Sequence, residues 1–138
     1  MDRAKATAWG LALAGLVPFA GCAIMVATGA GDREVWLEAL IAYAAIILSF
    51  LGGARWGRAL AEPVPDASTL ILSNLPAVAA WLTYLPSVPD TLQVGVLIAG
   101  LVAMLIWDWR SAPGWYRTLR LTASAGAVLS LGIVLVAT

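Results

Sequence analysis

Histidine is absent from this chain of 138 residues, and cysteine occurs once, as Cys22. Those two scarcities remove His-ligated haem, iron–sulfur ligation, most zinc sites, an intrachain disulfide and every triad built on imidazole. Charge is scarce as well: 12% of residues are Asp, Glu, Lys or Arg, half of the roughly 25% usual in soluble domains. Eight basic and eight acidic side chains cancel, and no basic run is long enough to form an electrostatic footprint for nucleic acid. What is abundant is hydrocarbon. The apolar set reaches 62% even before the 13 glycines are counted, against about 45–50% with glycine in soluble domains. The sixteen charges are scattered in ones and twos between apolar runs, which excludes a disordered chain or a coiled coil. An integral membrane protein remains.

Apolar length sets the architecture. A helix needs about 20 mostly apolar residues to cross roughly 30 Å of hydrocarbon, and runs of that kind cover 7–28, 35–58, 68–86, 91–108 and 118–138. The expected fold is all-α, a single integral-membrane domain over 1–138 with five transmembrane helices and short loops. Gly29 to Gly31, Pro63 and Pro65, Pro86 and Pro89, and Pro113-Gly114 punctuate the joins. Asp32, Asp66 and Asp90 stand at expected N-caps, and Gln93 follows Asp90 at capping-box spacing. Phe19-Ala20-Gly21-Cys22 is a loose lipobox, but the apolar stretch continues through Val26, where a cleaved signal gives way to a polar tether.

Basic residues orient the helices. With five spans, one side holds Arg3, Lys5, Arg55, Arg58, Arg110, Arg117 and Arg120, and the other holds only Arg33. Had the third run, broken by Ser73, Asn74 and Pro76, failed to cross, the division would be four to four. The positive-inside rule therefore favours five crossings, with the N-terminus inside and the C-terminus outside. Trp9, Trp56, Trp107, Trp109 and Trp115 fall near the inner ends and Trp36, Trp81 and Tyr84 toward the outer ends, as interfacial belts require.

Small residues mark where helices can approach. The second span carries Ala45, Ser49, Gly53 and Gly57 at a spacing of four, the fourth Gly95, Ala99 and Ala103, and the fifth Thr122, Gly126 and Ser130. In lipid such surfaces are expected helix contacts. Polar groups inside the bilayer are the default functional candidates. Glu38 sits one turn into the second helix, where the helix dipole favours an anion. Arg55 and Arg58 reach the inner interface, and Asp108, ending the fourth helix on that side, can pair with Arg55. Asn74 is the deepest strongly polar side chain. Pro76 and Pro18 each remove a helical donor, freeing the carbonyls of Leu72 and Ala14, and with Asn74 and Tyr43 they could line one small polar cavity.

Ser49-Phe50-Leu51-Gly52-Gly53-Ala54-Arg55-Trp56-Gly57, the Asn74-Leu75-Pro76 break with Trp81, and Trp115-Tyr116-Arg117-Thr118-Leu119-Arg120-Leu121 resemble the transmembrane-protein-69-like family. That group of small bacterial inner-membrane and mitochondrial proteins carries a domain of unknown function. The resemblance implies a multi-pass protein of the bacterial inner (cytoplasmic) membrane, and it supplies a fold and a location without a reaction. Members often carry histidine where this chain has Arg55, so no histidine-dependent role transfers. The candidate positions are thus Glu38, Ser49, Gly52, Gly53, Arg55, Trp56, Gly57, Asn74, Pro76, Asp108 and Arg120.

Two functions fit these residues. One is an accessory, scaffold or assembly protein of a larger inner-membrane complex. The other is a small oligomeric transporter or channel using the Pro/Asn-broken helices. No nucleophile, base and orienter converge, so an enzyme is not expected, nor a cofactor or metal. The expected partners are the lipid bilayer, other membrane proteins or further copies of the chain, and not nucleic acid.

Overall fold

The computed structural model describes residues 2–137, all of whose regular structure is α-helical. Helices α1 (Arg3–Thr28), α2 (Arg33–Leu60), α5 (Asp90–Trp109) and α6 (Gly114–Ala137) are long and apolar enough to cross a membrane. The segments α3 (Ala67–Leu72) and α4 (Leu75–Leu82) form one shorter broken helix between them, making five helices in all. The last expected span reached 138, which lies outside the described residues.

Local chemistry starts and stops these elements. The Asp32 carboxylate accepts from the Glu34 amide at 3.0 Å and that of Asp66 from the Thr69 amide at 3.0 Å, so both cap as expected. Gly29 closes α1 at φ 70°, a left-handed conformation that glycine adopts without a Cβ clash. Asp90 does not cap α5. Pro89 holds that position, and Gln93, instead of closing a capping box, donates across to Thr83 Oγ1 at 3.1 Å.

The third helix differs most from its expected form. The expected span over 68–86, interrupted at Ser73, Asn74 and Pro76, is two separate pieces that end at Leu82, with the break at Ser73 and Asn74. Pro76 is the second residue of α4, where a backbone donor has no helical acceptor anyway, so it starts a helix here rather than kinking one. The Asn74 side chain donates back to the Leu70 carbonyl at 2.8 Å and occupies the end of α3. The pair nevertheless runs antiparallel along most of α2. Thr69 shares a pocket with Arg58 and Ala59, Ser73 and Pro76 press on Gly52, and Tyr84 lines one groove with Ala42. Residues 42–59 of α2 span about 26 Å at 1.5 Å per residue.

Close approaches fix the other directions. Tyr43 donates to the Gly15 carbonyl at 2.8 Å, Leu16 packs on Gly126, and Leu48 packs on Gly100. Thus α2 and α5 run one way, and α1, α3–α4 and α6 run the other. Phe19, Val26, Leu37, Leu40, Val94 and Val134 are among the residues of a core that is continuous through the bundle.

The three small-residue ridges have separate fates. In the row of Thr122, Gly126 and Ser130, Gly126 meets α1 where Leu16 seats on it, and Ala45 and Ser49 line the groove against α4. Gly53 and Gly57 are exposed, as are Ala99 and Ala103. In α2 and α5 the tight glycines are instead Gly52 and Gly100, each one position off the expected rows. A Cβ on Gly52 would stand 2.6 Å from the Ser73 carbonyl oxygen, and one on Gly100 would stand 2.6 Å from Leu48. A regular four-residue spacing shows which positions share a helix face but not whether that face has a neighbour.

Candidate functional site

The helix directions bring Arg3, Lys5, Arg55, Arg58, Arg110, Arg117 and Arg120 to one end of the bundle, with Asp2, Glu62, Asp66 and Asp108. Seven cations against four acids leave +3 there; Arg33 against Asp32, Glu34, Glu38 and Asp90 leaves −3 at the other end. The zero net charge is therefore a separation rather than an absence.

Asp108 organises the basic end. It ends α5 at 8% exposure, and its Oδ1 accepts from Arg55 Nη1 at 3.0 Å with Arg58 Nη2 at 3.7 Å. Its Oδ2 accepts from Arg120 Nη2 at 3.2 Å. One carboxylate thus ties α2 and α6 to α5. Ser111 Oγ accepts from Arg55 at 3.1 Å and donates to the Asp108 carbonyl at 3.3 Å, and Arg120 Nη1 donates to Ser124 Oγ at 3.1 Å. The Arg55 guanidinium lies 4.1 Å from the Trp107 ring centroid, a cation–π contact that partly replaces lost hydration. Similar contacts place Lys5 over Trp115 and Arg117 over Trp109.

Sequence reasoning found Arg55 and Asp108 as partners but missed the convergence on them. Ser124, four residues after Arg120, was the readable signal, since that spacing shares a helix face. The other candidates do not join this cluster. Glu38 is exposed at the acidic end, and Ser49 donates to its own helix at the Ala45 carbonyl. Trp56, Gly53 and Gly57 face outward, and Gly52 serves the approach of α3–α4.

The polar cavity expected from Asn74, Pro76, Pro18 and Tyr43 does not form. Asn74 is exposed and Pro76 lies on Gly52, both across α2 from Tyr43, which faces α1. Tyr43 lines an apolar cavity of about 380 Å³ between α1, α2 and α6. Among the described residues, no three His, Cys, Asp or Glu side chains gather as metal ligands. At the loop entering α3, the Ser68 and Thr69 hydroxyls and the Thr69 amide hold the exposed Asp66 carboxyl below its ordinary value.

The profile of the family described as "Protein of unknown function (DUF3429)" matches residues 4–136. The chain is 40% identical over 128 residues to "Transmembrane protein 69" of Xenopus tropicalis, covering 88% of this chain and 50% of that protein. It is 30% identical over 132 residues to "Transmembrane protein 69" of Mus musculus, covering 91% of this chain and 54% of that protein. The chain therefore spans about half the length of these curated relatives. No solved structure matches it.

Proposed function

The chain belongs to the DUF3429 family, and from that premise we propose that this multi-pass membrane protein is a non-catalytic accessory or assembly component of a larger complex. Its proposed place is the bacterial inner membrane, crossed five times, with the N-terminus inside and the C-terminus outside. The observation that carries the functional reading is the Asp108 cluster. Three guanidiniums are held on one carboxylate at the end of the bundle, and the middle of each long helix carries no Asp, Glu, Lys or Arg. Ion coupling requires charge along a path, whereas a scaffold requires helices locked in position. The transporter alternative loses support because Asn74 and Glu38 line no shared interior path.

Support for five crossings comes from α3–α4, which accompanies α2 over most of the roughly 30 Å hydrocarbon thickness. The seven-to-one division of Lys and Arg supports the orientation. Mild-detergent purification of the native protein, with mass spectrometry of what accompanies it, tests the function. Stoichiometric recovery of a membrane-protein partner is expected. Recovery as a partner-free homo-oligomer would contradict the reading, and substrate-dependent flux in liposomes would replace it with transport.

A further inference from the structure

Pro18 divides α1 into two unlike halves. Its fully buried residues, Phe19, Cys22, Ala23 and Val26, all follow the proline and none precedes it. The earlier half borders the 380 Å³ cavity, a volume within the range of about 300–1,000 Å³ usual for small-molecule sites. Leu11 and Phe50 line this cavity while 69% and 67% exposed, so it opens sideways through the surface that faces the bilayer. Toward the basic end it reaches Tyr116, Ser124 and Arg120. Arg120 is 5% exposed, and its Nε is buried without a hydrogen-bond acceptor. Lys5 stands over Trp115, the neighbour of Tyr116, and forms no salt bridge among the described residues.

We propose that this cavity is a site for an anionic phospholipid, with one acyl chain between α1 and α2 and the phosphate at Lys5. The apolar walls and lateral opening select a hydrocarbon chain arriving from within the bilayer. The +3 charge of that end selects an anionic headgroup, as basic pockets between membrane helices do. Acceptor oxygens at the glycerol end of the lipid supply what the buried Arg120 side lacks. The site depends neither on an accessory role nor on which face of the membrane the basic end occupies.

Native mass spectrometry of the full chain in mild detergent tests this, with dioleoyl phosphatidylglycerol and dioleoyl phosphatidylcholine added in equal amounts. The anionic lipid should be retained over the zwitterionic one by about fivefold, the effect of one basic residue near an anionic headgroup. Lys5→Gln should abolish that preference while leaving an adduct with either lipid. Arg33→Gln, at the opposite end, should leave the preference intact. Ala123→Phe fills the cavity from α6 and should remove both adducts, and Leu11→Trp at its rim should reduce them without disturbing the core. Equal retention of the two lipids by the unaltered chain would overturn the proposal. So would wild-type adducts in both cavity variants, which would place the bound lipid elsewhere on the bundle.

Discussion

At the acidic end, α1, α2, α5 and α6 meet through Val26, Leu37, Leu40, Val94 and Val134, all nearly or wholly buried, and Gln93 ties α5 to Thr83. At the basic end the first half of α1 contributes no fully buried side chain, a cavity opens beside it, and the helices are joined by one aspartate and three arginines. Lipid tails are as apolar as leucine, so the acidic end is held by packing and dispersion rather than by removal of surface from water. Paired charge needs no tight hydrocarbon fit, and near the headgroups the long Arg58 side chain keeps access to water. The same helices are thus close-packed at one end and cross-tied at the other, which leaves room beside the cross-tie.

The comparison breaks most readily at Asp108. Asp108→Ala leaves three guanidiniums without their carboxylate, two of them largely buried, and is expected to cost about 3–5 kcal/mol in thermal or denaturant unfolding in micelles. Exchanging Arg55 and Asp108 should fail to rescue, because an arginine at 108 would face Arg58 and Arg120. A smaller loss than that of a core truncation would mean that packing holds both ends. Leu40→Ala, at the acidic end, provides that truncation. The cavity term persists in lipid while the transfer term largely vanishes, so a cost of about 2 kcal/mol is expected. Gly52→Ala should cost about 1–2 kcal/mol and loosen α3–α4 selectively, measured as faster amide exchange over 67–82 than over α5.

The smallest effect is at Asp66. Its carboxyl titrates below the ordinary aspartate value near 3.9, so its capping contribution is complete above that value and disappears as pH falls through the lowered one. The Thr69 amide should therefore remain protected at pH 5 and lose protection only in stronger acid, as read by hydrogen exchange. Loss of protection above pH 5 would contradict the capping geometry.

Much of this division was legible in the sequence. Apolar length located the four long helices to within a few residues, because the bilayer sets that length, and the basic residues sorted by end because consecutive helices reverse direction. The interruption of the third helix was legible at Ser73, Asn74 and Pro76, but Pro76 was read as a residue inside one helix: Asn74 bonding back to Leu70 and Pro76 at a helix start are chemistry of a break, not of a kink. The Arg55–Asp108 pair was legible from helix ends alone, but the convergence of Arg58 and Arg120 needed the positions of α2 and α6 around α5. The cavity was invisible, since it arises where α1 lacks buried side chains before Pro18, and a missing contact leaves no motif.

The central claim is that separated charge orients five crossings, with the +3 end inside. A reporter active only when exported, fused after residue 138 and in parallel within the loop at 110–113, tests it most directly. The account predicts activity from the fusion after 138 and none from the loop fusion. Activity from the loop fusion, with silence after 138, would show that α3–α4 does not cross and would contradict the account.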